Sequence, residues 1–162
     1  MIVLRGGAEA LEVLLVKRNP QQRFMGGAWV FPGGAVDADD GDGTLAHRLA
    51  GVREVEEEAG VRLPGPRALL PFSRWITPAQ VKIRFDTHFF LARVPADAQP
   101  VVDGAECVDW GWWTPRGALE AYAADELLEW ARGRSVDPVE PQVIRQGETA
   151  RIVLPGEPGY KG

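Results

Sequence analysis

Residues 53–61 read Arg-Glu-Val-Glu-Glu-Glu-Ala-Gly-Val, and this stretch decides how the whole chain is interpreted. The spacing i, i+3, i+4 places Glu54, Glu57 and Glu58 on one face of a predicted helix. Gly60 is predicted to end that helix, so the carboxylates lie in its last turns, where the backbone dipole is already negative. An anion there costs roughly 0.3–1 kcal/mol, and like charges at i, i+4 repel by roughly 0.2–0.5 kcal/mol. The arrangement therefore predicts a positive partner.

Two kinds of positive partner are available to these carboxylates. Arg53 compensates the charge only in part, because an Arg that precedes a Glu at i, i+4 is the weaker orientation of that pair. Several carboxylates without His or Cys favour a hard divalent cation such as Mg²⁺ or Mn²⁺. The chain has two His and one Cys, Cys107, which argues against an imidazole or thiolate metal site and excludes an internal disulfide. A solvated acidic helix face is the alternative interpretation.

The segment Phe31-Pro32-Gly33-Gly34 lies upstream of the helix and predicts a tight turn with few side chains. Together, the turn and the helix resemble the Nudix box, the motif of hydrolases that act on a nucleoside diphosphate linked to another moiety. That motif is Gly, five residues, Glu, seven residues, and then Arg-Glu-apolar-x-Glu-Glu-x-Gly-apolar. Residues 53–61 match every defined position of its second half.

The first half of the motif departs from the pattern. Arg53 lies 19 positions after Gly34, where the motif expects 14, so five extra residues fall in the polar loop that precedes the helix. The motif's first glutamate, which in the family is thought to hold the helix arginine, has no clear equivalent. Three acidic residues of the loop are candidates to substitute for it: Asp37, Asp39 and Asp40.

Longer stretches resemble the peroxisomal and mitochondrial coenzyme A diphosphatase-like branch of the family, which also carries an insertion inside the box. The resemblance covers about Leu11 to Pro115, and four segments carry it: Leu14–Arg18, Phe24–Asp37, Trp75–Pro78 and Arg84–Leu91. It implies a Nudix-type α/β/α sandwich, with a mixed sheet and a catalytic helix after the Gly-Gly loop. It also implies Mg²⁺ or Mn²⁺ as cofactor, and coenzyme A or an acyl-coenzyme A as the first substrate to consider.

The resemblance also assigns roles to individual residues. The implied metal ligands are Gly34, through its carbonyl, Glu54, Glu57 and Glu58. The implied catalytic residues are Arg53, Glu54, Glu57 and Glu106. Arg53 is expected to position carboxylates rather than to touch substrate, and the general base is open between Glu54 and Glu106, a glutamate in a later loop.

Several other functions stay open at this point. The substrate could be ADP-ribose or another sugar nucleotide, or the chain could be a nucleoside triphosphate pyrophosphohydrolase. A non-catalytic Nudix-fold module that senses a nucleotide is a further alternative. The intact set of Arg53 and the three helix glutamates argues against the sensor, because binding alone does not require those carboxylates.

Length and charge limit the remaining possibilities. The 162 residues carry 18 basic and 23 acidic side chains, a net charge of −5. This length fits one domain, so we expect a single Nudix domain over 1–162 with a proline-punctuated tail over 135–162. The acidic balance argues against a nucleic-acid partner, and no apolar run approaches the ~20 residues of a membrane span.

We expect a small-molecule nucleoside diphosphate derivative as partner, with a homodimer left open. Because Met1–Arg5 lacks the start of a signal peptide, we expect a cytoplasmic location.

Hydrophobic patterning predicts the elements that would carry this site. The predicted strands are Ile2–Leu4, Leu11–Arg18, Trp29–Phe31, Ile83–Leu91 and Val108–Trp113. One helix is predicted from a Thr44 cap to Ala59, with an apolar stripe formed by Leu45, Leu49, Val52 and Val55. A second is predicted from Thr114-Pro115 to about Arg132. Strands on both sides of a strong helix indicate a mixed α/β class.

Overall fold

A computed structural model of the chain describes residues 1–77 and 84–122 in full, and residues 142–146 and 149–153 as backbone. The chain divides into two compact units. The first comprises Met1–Ser73 and His88–Glu120, and the second comprises Arg74–Thr87 and Ala121–Gly162. All the residues proposed above for metal binding and catalysis lie in the first unit.

Six of the described strands form one mixed sheet. They are β1 (Ile2–Arg5), β2 (Glu12–Arg18), β3 (Trp29–Val30), β4 (Leu70–Ile76), β5 (Asp86–Arg93) and β6 (Cys107–Trp113). The strand order is β3-β2-β1-β5-β4, and β6 pairs with β2. Strand β1 is antiparallel to β2 and parallel to β5, whereas β2 is antiparallel to β3 and β6. This sheet confirms the predicted α/β class, although β5 begins at Asp86 and residues 78–83 lie outside the described residues.

Helix α1 spans Gly43–Ala59 and ends before Gly60, as the sequence predicts. Gly60 adopts the left-handed conformation with φ 62°, and its N–H donates to the Glu56 carbonyl at 2.9 Å. The prediction that Thr44 caps the helix is wrong, because Asp42 is the N-cap. Gly43, whose φ of 71° is readily adopted only by glycine, is the first residue of the helix, so the cap lies two residues before the predicted one.

Helix α2 begins at 115 and is described through 122. The Oγ1 of Thr114 accepts a hydrogen bond from the Gly117 N–H at 3.0 Å, which confirms the predicted cap. The remainder of this predicted helix, to Arg132, lies outside the described residues. The tail contains a hairpin that the sequence analysis did not predict, in which β7 (Gln142–Gln146) is antiparallel to β8 (Thr149–Val153). Within the described residues, no helix combines the length and apolar character needed to cross a membrane.

The core of the first unit lies between α1 and the sheet. Val55 and Ala59 of α1 are buried in one cluster with strand residues, among them Val3, Leu14, Val16, Phe90 and Cys107. The predicted apolar stripe is wrong at its start, because Leu45 is 49% exposed whereas Ala46 and Ala50 are buried. Small side chains at these two positions allow the helix backbone to lie close to its neighbours. The same i, i+4 row continues to Glu54 and Glu58, so the inward-facing row of the helix ends in carboxylates.

Candidate metal and active site

The Gly33–Gly34 turn is packed against the C-terminal half of α1. The Gly33 N–H donates to Glu58 Oε2 at 2.8 Å. A Cβ at Gly34 would overlap the carboxylate of Glu54, so only glycine fits at this position without displacing that side chain. The turn therefore brings backbone groups directly against two of the three helix carboxylates.

Arg53 joins the helix carboxylates to the inserted loop. Its Nη1 donates to Glu54 Oε1 at 2.7 Å and to Glu57 Oε2 at 2.9 Å. Its Nη2 donates to Asp40 Oδ2 and to the Ala35 carbonyl, each at 3.0 Å. The guanidinium therefore compensates more negative charge than the i, i+4 pair alone predicts, because it donates hydrogen bonds to two helix carboxylates and to one loop carboxylate.

Asp40 is the loop residue that holds Arg53. Its Oδ1 is 3.4 Å from Arg53 Nε, so both of its oxygens contact the guanidinium, and its side chain is only 5% exposed. Asp37 Oδ2 is 3.4 Å from Arg53 Nη2 but 66% exposed, and within the described part of the chain Asp39 forms no ion pair. Asp40 thus makes towards Arg53 the contact that the resemblance gives to the motif's first glutamate.

Local structure orients Asp40 for this contact. The 3₁₀ turn Ala38–Asp40 folds the inserted loop back on itself, and the Asp37 N–H donates to Asp40 Oδ2 at 2.8 Å. The hydrogen bonds from Arg53, followed by that from Asp37, hold the pKa of Asp40 below its usual value. The Asp40 carboxylate therefore stays ionised, and its charge fixes the guanidinium.

Glu58 is a buried acid and Glu54 is a half-buried one. Glu58 is 3% exposed and the Glu54 side chain 13% exposed, and burial is the largest influence that raises the pKa of each. Arg53 offsets part of this rise for Glu54. The Gly33 N–H offsets part of it for Glu58, as does Arg18, whose Nη1 is 3.6 Å from Glu58 Oε1. Two negative charges are thus held in a poorly solvated place, which a cation would stabilise.

Two further glutamates near Glu54 and Glu58, Glu57 and Glu106, are exposed to solvent. The Glu57 side chain is 58% exposed. Glu106 is exposed in the loop before β6, and its charge contributes to raising the pKa of both Glu54 and Glu58. The fold thus brings the later-loop glutamate within electrostatic range of the helix carboxylates, about fifty residues away in sequence.

Two side chains that the sequence analysis did not single out hold the loop of Glu106. Asp103 accepts the Glu106 N–H at 3.0 Å, and Asn19 Nδ2 donates to the Ala105 carbonyl at 2.9 Å. The only sequence signal for this arrangement is the Asp103-Gly104 pair, which is typical of a turn. Asn19 has no comparable signal, because its partner is distant in sequence.

The oxygen donors at the end of α1, from Glu54, Glu57, Glu58 and the Gly34 carbonyl, fit a hard divalent cation. Carboxylate and carbonyl oxygens are the ligands that Mg²⁺ and Mn²⁺ prefer. Among the described residues, no three His, Cys, Asp or Glu side chains are already arranged around a point that would hold an ion. Arg53 occupies Glu54 Oε1 and Glu57 Oε2, whereas the second oxygen of each carboxylate accepts no hydrogen bond from the described residues. Those second oxygens are the ones available to a cation.

Without divalent cations, we expect Glu58→Gln to raise the free energy of unfolding at pH 7 by about 1 kcal/mol, the size of a common single-residue effect. Burial raises the pKa of Glu58 in the folded state above the ordinary value of 4.5, which applies to the unfolded state. At pH values between the unfolded-state pKa and the folded-state pKa, the folded state therefore binds more protons than the unfolded state. Stability therefore falls as the pH rises through that window, and the loss persists at higher pH. Glutamine has no charge to bury and keeps an acceptor for Gly33. Urea unfolding in EDTA at pH 4 and pH 7 measures the difference, which should be small at pH 4.

The matched control is Glu56→Gln, because Glu56 is 51% exposed and its one ion pair among the described residues is with the exposed Arg62. This control should leave the free energy of unfolding nearly unchanged at both pH values. A Glu58→Gln variant less stable than the parent at pH 7 would show that attraction to Arg18 outweighs the burial of the charge.

Comparison with known sequences supports the resemblance to the motif. The NUDIX domain model matches residues 1–132. "Putative nudix hydrolase 7" of Caenorhabditis elegans is 31% identical in an alignment of 153 positions that covers 72% of this chain and 51% of that protein. The acyl-coenzyme A diphosphatase NUDT19 of Homo sapiens is 28% identical in an alignment of 218 positions that covers 74% of this chain and 58% of that protein. The chain thus spans between half and three-fifths of the length of these curated relatives.

Solved structures show the same architecture. The crystal structure of a NUDIX hydrolase from Alicyclobacillus acidocaldarius matches with a TM-score of 0.66 and 26% identity, over 77% of this chain and 81% of that one. The NUDIX domain of Shewanella oneidensis NrtR, solved with ADP-ribose, matches with a TM-score of 0.55 and 20% identity over 82% of each chain, and shares the fold. With the family model matching most of the sequence, these findings show that the chain belongs to the NUDIX family.

Proposed function

We propose that this chain hydrolyses a diphosphate linkage in a nucleoside diphosphate derivative, with Mg²⁺ or Mn²⁺ as cofactor. The observation that carries the proposal is the carboxylate group of Glu54, Glu57 and Glu58 at the end of α1, where Arg53 contacts two of the acids. Membership in the NUDIX family supports it. The buried charges in this group have a clear use if a doubly charged ion and an anionic substrate bind there.

The proposed roles follow from where each group lies. Glu54, Glu57, Glu58 and the Gly34 carbonyl would hold the ion. When bound, the ion screens the phosphate charges, polarises the bridge and lowers the pKa of a bound water. Arg53 holds one oxygen of Glu54 and one of Glu57, which would leave the second oxygen of each to the ion. Because the chain carries a net charge of −5, it needs such a cation to admit an anionic substrate.

We assign the general base to Glu106, which the sequence left open between Glu54 and Glu106. Glu54 is held by Arg53 and packed against the turn at Gly34, as suits a fixed ligand. Glu106 is exposed and forms no ion pair within the described residues, so its carboxylate is free to accept a proton from the attacking water.

Coenzyme A or an acyl-coenzyme A is the proposed substrate. The support is that two curated relatives, from Homo sapiens and Xenopus laevis, are named acyl-coenzyme A diphosphatases and are 28% and 24% identical to this chain. ADP-ribose, other sugar nucleotides and nucleoside triphosphates are the competing substrates. The partner in each case is a small nucleotide-containing molecule.

A substrate panel tests the proposal. The protein is incubated with coenzyme A, acyl-coenzyme A, ADP-ribose and a nucleoside triphosphate, with Mg²⁺, with Mn²⁺ or with EDTA, and products are separated by chromatography. The expected result is metal-dependent cleavage of the diphosphate, fastest for the coenzyme A compounds. If another compound is cleaved fastest, that compound replaces coenzyme A as the proposed substrate. Tight binding of any compound without turnover would overturn the proposed hydrolase activity and favour a nucleotide-sensing module.

We expect Gly34→Ala to lower kcat/KM for the best substrate by about tenfold, as displaced metal-site geometry commonly does. The added methyl would overlap the Glu54 carboxylate and push it away from its position beside the turn. Steady-state kinetics and a thermal melt measure the effect. The control is Gly7→Ala, where a Cβ meets nothing within 4 Å. Equal activity of the two variants would contradict a role for Glu54 at its present position.

A further inference from the structure

The loop that carries Glu106 is held from one side by Asp103. The Asp103 carboxylate accepts the Glu106 N–H at 3.0 Å through Oδ2 and the Cys107 N–H at 2.9 Å through Oδ1. The turn closes with the Gly104 N–H on the Cys107 carbonyl at 2.9 Å, and Gly104 has a φ of 77°. Because Cys107 is fully buried, this carboxylate anchors the loop to the start of β6.

Asn19 holds the same loop from the other side. Its Nδ2 donates to the Ala105 carbonyl at 2.9 Å, and its backbone N–H donates to the Glu106 carbonyl at 2.8 Å. Asn19 directly follows Arg18, whose Nη1 lies 3.6 Å from Glu58 Oε1. Arg18, the last residue of β2, therefore contacts Glu58 of the helix, and the next residue, Asn19, contacts the backbone of the Glu106 loop.

The side chain of Glu106 makes no contact of its own that would fix it. It is exposed, and within the described residues it forms no ion pair and no side-chain hydrogen bond. The position of its carboxylate is therefore set through its backbone, which Asp103 holds at the N–H and Asn19 holds at the C=O.

We propose that Asp103 and Asn19 are positioning residues that hold Glu106 where it can take a proton from the attacking water. This inference rests on the proposed function, in which Glu106 is the general base. In this role neither residue would need to contact the substrate or the ion. Each acts through the backbone of Glu106, so its contribution to the rate exists only while the Glu106 carboxylate is present.

A double-mutant cycle measures this dependence. The variants are Asp103→Ala, Glu106→Gln and both together, assayed with the best substrate of the panel. We expect Asp103→Ala to lower kcat by about tenfold with little change in KM, and to have no further effect in the Glu106→Gln background. Asp103→Asn, which keeps an acceptor oxygen, should restore most of the rate. Effects that multiply in the double variant would show a merely structural role and overturn the inference.

Asn19→Ala is the second variant if Asp103→Ala does not fold, because the bond from Asn19 to Ala105 is exposed and its loss costs the fold little. The matched control is Asp109→Ala, since within the described residues the Asp109 carboxylate accepts a hydrogen bond only from the neighbouring Trp110 N–H, at 2.8 Å. This control should keep the parent kcat. An Asn19→Ala variant that also keeps the parent kcat would contradict the role of Asn19.

Amide hydrogen exchange tests the inference apart from activity. The Glu106 and Cys107 amides should be protected in the parent and in Glu106→Gln, and should exchange at least tenfold faster in Asp103→Ala. A parent without turnover overturns the proposed function, whereas unprotected amides in the parent overturn the positioning role alone. If Glu106→Gln keeps the parent rate, the assignment of the base and the positioning role fail together.

Discussion

Glu57→Gln is expected to lower the rate of metal-dependent diphosphate hydrolysis at least 100-fold, while the protein stays folded. A metal ion supplies several kcal/mol of transition-state stabilisation, and a loss of about 3 kcal/mol is about a 100-fold loss of rate. Glu57 contributes one of the three charges that would bind that ion. Its side chain is 58% exposed, and in the part of the chain that the structure describes it pairs only with Arg53, so removing its charge costs the fold little stability.

The kinetics of this variant should identify the cause of the loss. The rate is measured against Mn²⁺ concentration, and the melting temperature is measured in parallel without the metal. Saturating Mn²⁺ should restore only part of the rate if both ion affinity and ion placement have changed. The matched control is Glu56→Gln, which changes the neighbouring exposed glutamate on another face of α1 and should keep the parent rate. Near-normal turnover by Glu57→Gln would contradict the assignment of this residue.

Asp40→Ala is expected to lower kcat/KM by about 100-fold, near the upper end of what partners of ligand residues contribute. Asp40 contacts Arg53 through both oxygens and so fixes which edge of the guanidinium faces Glu54 and Glu57. Without it, Arg53 can rotate and pair with both oxygens of one helix carboxylate, since bidentate Arg–carboxylate pairing is favourable. Both oxygens would then be lost to the cation.

Three variants separate this explanation from a general loss of structure. Asp39→Ala, in the same 3₁₀ turn, should keep the parent rate, because Asp39 is exposed and forms no ion pair within the described residues. Asp40→Asn keeps an acceptor but removes the charge, so it should fall between the parent and Asp40→Ala. Arg53→Lys, which cannot make the forked contact, should resemble Asp40→Ala. A fully active Asp40→Ala variant would show that the inserted loop does not govern Arg53.

The sequence was sufficient to predict the helix of the site and its charged face. Residues 53–61 match fixed spacings of a local motif, and the periodicity of a helix then determines which glutamates share a face. The stop at Gly60 was also predictable, because a left-handed residue at a helix end favours glycine. Alternation in the strands was enough to predict a mixed α/β class.

Contacts between distant segments were not predictable in this way. Asp37, Asp39 and Asp40 are equivalent by sequence, and only the 3₁₀ turn decides that Asp40 faces Arg53. The cap was predicted at Thr44 because local sequence does not reveal where the loop turns into the helix. Leu45 was predicted to belong to the apolar stripe but is exposed, because local sequence does not reveal how close the sheet lies. The contacts of Asn19 and Asp103 with the Glu106 loop depend on tertiary folding, which local patterns do not encode.

The central claim is that the end of α1 binds a divalent cation through its carboxylates, and anomalous diffraction from crystals grown with Mn²⁺ tests it most directly. We expect an anomalous peak within coordination distance of carboxylate oxygens of Glu54, Glu57 and Glu58, with the Gly34 carbonyl facing it. The peak should weaken or vanish in crystals of Glu57→Gln. Crystals in abundant Mn²⁺ with no peak there, and with these side chains directed into solvent, would contradict the account.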